Sequence, residues 1–257
     1  MKRILLLISL LASIAFIIQH KKIILANLGS AEAQYSLAKE YFEGKNGHVE
    51  FKLAMKWCEK AAINGHPEAQ YKMGEAAQND FLIEGNSKKA VKWFEKAASQ
   101  GQAEAIIKLG EMYRAGTGVV KDEKKALDLF LKAIAQYEIE ANSGNSASAA
   151  ELGHIYNDGR LVAKDSTKAF EWTKISANLG NAYCQWKLAE YLETGKGTKV
   201  DLFDAYKWYC IATTNLDPIS AECAIKDRDQ IEKLLSTEQV VAARELARIW
   251  RPSNAKN

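Results

Sequence analysis

Proline is nearly missing from this chain. Three occur in 257 residues. Proline lacks a backbone donor and breaks helix interiors, so its scarcity leaves room for long uninterrupted helices. Cysteine is also scarce: Cys58, Cys184, Cys210 and Cys223 are separated by 126, 26 and 13 residues. With no C-x-x-C pair, neither a zinc site nor a thioredoxin-like motif is indicated. The cysteines read as small buried apolar side chains, and a disulfide among the last three, in an oxidising compartment, stays open. The histidines are His20, His48, His66 and His154; no H-E-x-x-H and no cluster of metal-ligand spacing occurs. No metal or cofactor is expected. An excess of one charge is missing too, since 35 basic and 32 acidic residues leave +3. Nucleic acid, which calls for a concentrated basic face, is not an expected partner. What remains, 47% hydrophobic and 26% charged residues, is ordinary for a folded body, either one or two compact domains or an elongated array.

Long apolar runs are absent except at the start. Lys2 and Arg3 precede fifteen uncharged residues, Ile4 to Ile18, followed by Gln19, His20, Lys21 and Lys22. A positive start and an apolar core fit a secretory signal, although a full span needs about 20 residues. Cleavage sites fit poorly: Ser13-x-Ala15 lies inside the run and Ala26 beyond two lysines. The expectation is an exported, periplasmic protein tethered to the inner membrane by an uncleaved anchor. The competing reading is a buried N-terminal helix of a cytosolic protein.

Internal repetition dominates the rest. Ala54-x-x-Trp57, Ala90-x-x-Trp93, Ala126-x-x-Leu129, Ala169-x-x-Trp172 and Ala205-x-x-Trp208 recur at 36, 36, 43 and 36 residues. Leu37, Met73, Leu109, Leu152 and Leu188 recur with the same spacings. Two rulers sharing one interruption indicate stacked structural repeats. Each repeat reads as two helices. The first carries apolar residues four apart, as in Ala33, Leu37 and Tyr41 or Ala105, Leu109 and Tyr113, on one face. It stops at Gly44, Gly116, Gly159 or Gly195. Asn86, Asp122, Asp165 and Asp201 stand where they can cap the second helix, with Glu50 the weak member. The second helix stops at Gly65, Gly101, Gly144 or Gly180. Gly74, Gly110 and Gly153 interrupt first helices at a cost of about 1 kcal/mol relative to alanine, which close approach of the paired helix would offset.

The segments "AEAIIKLGEMYRAGTGVVKDEKKAL" (103–127) and "WFEKAASQG" (93–101) resemble the Sel-one-like repeat (SLR) family, relatives of tetratricopeptide repeats. The resemblance covers about residues 29–216. It implies an all-α, right-handed α/α superhelix (solenoid) of about five two-helix units with a C-terminal capping helix pair. The expected divisions are 1–28, a signal or anchor helix leading into the array; repeats at 29–64, 65–100, 101–143, 144–179 and 180–216; and 217–257, capping helices and tail. The second repeat departs from the pattern, with Ala77 for tyrosine, Asp80 for glycine and "DFLIEGN" for the usual turn. "KIILANLG" (22–29) echoes "KISANLG" (174–180) and reads as half a repeat. Residues 221–235 read as a polar helix. A further helix opens on a capping box, Ser236-x-x-Gln239, with Ala242, Leu246 and Ile249 on one face. The seven extra residues of the third repeat, between Ala133 and Gly144, add two turns, about 10 Å, to its second helix. They would raise a ridge at Tyr137 and Ile139.

Catalytic patterns are weak. Ser36-Leu37-Ala38-Lys39 matches S-x-x-K without its S-D-N and K-T-G companions, and Leu37 belongs to the repeat. "GKGTK" (195–199) resembles a phosphate loop, but Gly195 and Gly197 align with Gly116 and Gly118. No catalytic residue is assigned and an enzyme is not expected. The resemblance implies a protein-binding scaffold or adaptor: assembling envelope complexes, regulating a signalling partner, or neutralising a toxin as an immunity protein. The rival reading is a hydrolase of cell-wall-like or β-lactam substrates; the family's cysteine-rich branch, with members linked to β-lactam binding, has paired cysteines that this chain lacks. In this class of array first helices line the concave face, where the resemblance implies that the partner binds. The candidate contacts there are Ser36, Lys72, Lys108, Glu151 and Lys187, with Lys39, Glu75, Glu111, His154 and Glu190, joined by Tyr137 and Ile139 on the ridge.

Overall fold

The computed structural model describes residues 21–45, 48–78 and 86–253. The apolar start, and most of the departing turn of the second repeat, lie outside them. Every regular element among the described residues is a helix. The chain divides into two compact units at Leu129/Phe130.

In the first unit, residues 21–27 are helical. Helix α1 (Ala31–Glu43) pairs with α2 (Phe51–Ile63), and α3 (Pro67–Gln78) with α4 (Ser87–Ser99). Helix α2 packs on α3, and α4 on α5 (Ala103–Ala115). Helix α6 (Glu123–Asn142) carries the unit boundary. In the second unit α7 (Ser146–Asp158) pairs with α8 (Ser166–Asn178), and α9 (Ala182–Thr194) with α10 (Leu202–Asn215). There α8 packs on α9, and α11 (Pro218–Glu232) and α12 (Thr237–Ile249) both pack on α10.

Local signals set these boundaries. Asn86, Asp165 and Asp201 accept from backbone N–H groups three residues ahead, satisfying donors a helix start leaves open. Asp122 does the same toward Lys125. Glu50 makes no side-chain cap. Gly44, Gly116, Gly159 and Gly195 end first helices in the left-handed conformation. The three prolines sit outside helix interiors: Pro67 and Pro218 open α3 and α11, and Pro252 follows α12. The polar C-terminal helix starts three residues earlier than the sequence suggests, because Asp217 caps it and Pro218 occupies its first turn. Helix α6 has 20 residues against 13 in α4 and α8, so the seven extra residues are helical.

Both sequence rulers are buried, the alanines at 0–1% exposure and the leucine series at 0–5%. Small residues follow that series at Ala38, Gly74, Gly153 and Ala189, where the paired helix crosses. A Cβ on Gly74 would lie 2.5 Å from the Phe94 ring, and one on Gly153 2.8 Å from Thr173 Oγ1. Close approach explains these glycines. Gly74→Ala should therefore lower the melting temperature, since overpacking costs about 1–3 kcal/mol against a helix-propensity gain of about 1 kcal/mol. The same change in a Phe94→Val background should be neutral or stabilising. Calorimetry of the four proteins checks this.

A polar tie recurs along the seam between repeats. Gln34, Gln70 and Gln185 are buried; each donates to a carbonyl at the end of the preceding helix, Ala26, Ala62 and Ala177, at 2.8, 3.1 and 3.3 Å. Each accepts from its own hairpin's end, Asn64, Gln100 and Asn215, at 2.9, 2.8 and 3.0 Å. At the equivalent positions of the third and fourth repeats, Ile106 and Ala149 replace the glutamine, and Ser143 and Leu179 replace its partner. Both members change together, as expected when one amide left alone would be buried without a partner. Gln100→Ser alone should cost about 1–3 kcal/mol by leaving the buried Gln70 carbonyl without its donor, with Gln70→Ile added restoring most of it. Denaturant titrations in a double-mutant cycle measure the coupling.

The C-terminal helices seal α10. Tyr206 donates to Glu232 at 2.7 Å and accepts from Arg244 Nε at 2.8 Å, and Arg244 also pairs with Glu232 at 2.8 Å. Ser236 and Gln239 form the expected capping box. The buried face of α12 is Val240 and Ala243. Leu246 and Ile249, expected with Ala242 as one apolar face, are on the solvent side instead, because Val240, Ala243 and Trp250 form the stripe that meets α10. Trp250 reaches Trp208 with ring centroids 5.7 Å apart, and Ser253 donates its N–H and hydroxyl to Asn178 O at 2.8 and 2.9 Å.

Candidate partner-binding face

The candidate contacts are described unit by unit. In the first unit, Ser36 is half-buried and Lys39 exposed on α1. Lys72 and Glu75 pair at 2.8 Å on α3, and Lys108 and Glu111 at 3.4 Å on α5. Tyr71 donates to Glu75 at 2.9 Å, and burial, with that carboxylate beside it, raises the phenol well above its ordinary value. His66 lies on the Tyr35 ring at 4.3 Å, accepts from Ala69 N–H at 3.3 Å and meets Glu32 at 3.2 Å. It caps α3, a role set by the repeat. Ser36 makes no hydrogen bond to Lys39 among the described residues.

In the second unit, Glu151 and His154 stand exposed on α7, and Lys187 pairs with Glu190 at 2.7 Å on α9. Here the structure brings candidates together. His154, Lys187 and Glu190 line one notch of about 140 Å³ between α7 and α9. The His154 and Tyr183 rings stack at 5.7 Å and 28°, and both residues remain exposed. Lys196 donates to Asn157 Oδ1 at 2.7 Å and sits 5.4 Å from the Tyr191 ring centroid. Thr173 and Tyr191, both buried, also line the notch. The absent side chain of Gly153 leaves Thr173 reachable.

Sequence reading missed Asn157, Tyr183 and Lys196. A signal existed. Tyr183 occupies the position that is Glu32, Glu68 and Glu104 in the first three repeats, and His154 the one that is Lys39, Glu75, Glu111 and Glu190 elsewhere. The ridge is corrected in part: Tyr137 is buried at 3% exposure, because the lengthened helix keeps its register and turns that residue inward, while Ile139 is exposed at 66%. The "GKGTK" loop serves packing. Gly197 has φ +73, and a Cβ there would overlap the Ser166 carbonyl oxygen at the start of α8; Gly118 approaches Ser87 O in the same way. No three His, Cys, Asp or Glu side chains among the described residues form a metal-binding group.

The model of the Sel1 repeat matches residues 31–66, 67–102, 103–137, 146–181 and 182–215. The chain belongs to the Sel1 repeat family. A Sel1 repeat protein from Oxalobacter formigenes is similar at 27% identity and a TM-score of 0.59, over 86% of this chain and 88% of that one. A putative Sel1 repeat protein from Klebsiella pneumoniae is 22% identical, over 80% and 95% of the two chains, with a TM-score of 0.46. The immunity protein Pa5087 from Pseudomonas aeruginosa is 23% identical, over 82% and 72%, with a TM-score of 0.45. At these identities the last two show likeness of fold alone. No curated protein matches the chain. The all-α solenoid class expected from the sequence is thus the family's fold, and Sel1 repeats are generally protein-interaction scaffolds.

The Sel1 repeats contain Cys58, Cys184 and Cys210, and Cys223 follows them on α11. All four cysteines are free. Burial pushes the Cys58 thiol up to about 11 and raises Cys184 and Cys210, whereas Cys223 is exposed. Because the thiolate is the reactive form, iodoacetamide at neutral pH should modify Cys223 first and leave Cys58 and Cys184 unmodified until the protein unfolds. Peptide mass spectrometry reads this directly.

Proposed function

We propose that this protein is a non-catalytic adaptor of the cell envelope that binds another protein along the first-helix faces of its Sel1 repeats. The observation that carries the reading is a division of labour within each repeat. The buried side of the first helix packs on neighbouring helices, while its outer side presents solvent-facing polar groups: Lys39 on α1, Lys–Glu pairs on α3, α5 and α9, and Glu151 and His154 on α7. Pairs of this kind stabilise a helix by only about 0.2–0.5 kcal/mol, so a partner can exchange them for its own contacts at little cost. An envelope location is supported by Lys2 and Arg3 before the apolar stretch Ile4–Ile18, which lies outside the described residues. Among those residues no helix is long and apolar enough to cross a membrane, so tethering in this reading belongs to the N-terminal stretch.

Affinity capture from the native membrane fraction, compared between the natural chain and charge-reversed variants, tests the reading. Lys72→Glu with Lys108→Glu in the first unit, Lys187→Glu in the second, and all three together should weaken recovery of the bound protein progressively. The triple variant should bind at least about tenfold more weakly, about 1.4 kcal/mol, with an unchanged helical circular dichroism signal. Undiminished recovery by the triple variant would place binding away from the first helices.

A further inference from the structure

In the notch between α7 and α9 two exposed residues, His154 and Tyr183, depart from the repeat pattern and meet. Lys196 is the telling residue. It is half-buried, it leans over Tyr191, and its hydrogen-bond acceptor is a neutral amide, Asn157. Among the described residues no carboxylate lies within ion-pair distance of it, whereas the neighbouring Lys187 is matched by Glu190. Because Asn157 gives its carbonyl oxygen to Lys196, its amide N–H donors are left for another acceptor. A lysine and an amide donor therefore share the notch lining with His154 and Tyr183, whose rings stack on each other.

We propose that this notch is an anchoring subsite that takes the side-chain carboxylate of a glutamate or aspartate in an extended segment of the partner protein. The inference rests on the adaptor reading and names the chemistry of one contact within it. Size sets the class of ligand. About 140 Å³ compares with the ~150 Å³ of a cavity that admits benzene, and falls well below the ~300–1,000 Å³ of pockets for drug-sized molecules. A side chain fills a volume of that size, which a whole nucleotide or cofactor exceeds. Charge sets the group. Lys187 and Lys196 against Glu190 leave one positive charge in the lining before His154 is counted, which favours a singly charged carboxylate. A singly charged carboxylate neutralises that surplus, whereas a doubly charged phosphate would leave the recess net negative beside Glu190. The exposed rings of Tyr183 and His154 offer a shelf for the residues flanking the acid.

The test uses the full chain and peptides of five residues, acetylated and amidated at their ends so that only the central side chain differs: glutamate, glutamine or phosphoserine among alanines. Binding is followed by NMR through the ring signals of His154 and Tyr183. The glutamate peptide should shift these signals saturably, the glutamine peptide should bind at least about tenfold more weakly, and free glutarate should bind more weakly than the glutamate peptide. Lys196→Met and Asn157→Leu should each weaken the glutamate peptide severalfold while the circular dichroism signal and melting temperature stay unchanged. Equal binding of the glutamine peptide, tighter binding of the phosphoserine peptide, glutarate binding as tightly as the peptide, or indifference to Lys196→Met would each overturn the assignment. The two readings fail separately. Loss of captured protein in the charge-reversed variants, together with a peptide response indifferent to Lys196, removes the notch and leaves the adaptor. A Lys196-dependent glutamate response together with undiminished capture by the triple variant removes partner binding along the first-helix faces and, with it, the assignment of the acid to that partner.

Discussion

A helix pair of 36 residues has too little interior to fold alone; it must bury its apolar stripe against the pair before and the pair after. In this chain that requirement is met with small residues. Alanine stands at the crossing point of every second helix, and alanine or glycine follows each core leucine or methionine of the first. Backbones come close enough that Phe94 and Thr173 fill the space a Cβ would take. Dispersion contacts are individually weak and fall off within a fraction of an ångström, so stability here depends on keeping that distance. The buried glutamines add direction to it. In the first, second and fifth repeats their amides align a helix end with its neighbours, which a purely apolar seam does not do.

Most of this was legible because buried geometry is shared. Repeats that pack alike need the same residue types at the same places, so the alanine and leucine rulers, the Asp and Asn caps and the loop glycines all surface as periodic letters. The extra turns of α6 were visible as a break common to both rulers. Errors fell where periodicity gives no help. The start of α11 was set by Asp217 and Pro218, a local capping signal outside the repeat. The face of α12 was misjudged because that helix has apolar residues on both sides, and only the shape of α10 selects Val240 and Ala243. Tyr137 was placed outside by analogy with a protruding ridge, yet an insertion of two turns nearly preserves the helical register and keeps it inside.

The candidate face was legible as a set of positions and illegible as a site. Spacing alone identifies which residues point away from the core, and the Lys–Glu pairs form as their i, i+3 separation requires. Spacing does not say that α7 and α9 leave a notch, because the notch depends on Gly153 having no side chain and on a loop lysine, Lys196, folding back toward α7. Asn157 and Lys196 are 39 residues apart, and no periodic argument joins them.

Repetition and function therefore leave opposite marks on such a chain. A buried position that changes must change with its partner, as Gln/Asn gives way to Ile/Ser and Ala/Leu along the seam. An exposed position on a first helix has at most a weak i, i+3 partner and diverges more freely. Where divergence is random, odd residues should scatter over the outer faces. Here two of the departures, His154 and Tyr183, come from adjacent repeats and stack on each other, and an otherwise unmatched lysine lies in the same recess. In an array whose interior is dictated by stacking, residues that break the pattern and still converge are those free of the packing requirement, and recognition has that freedom to work with.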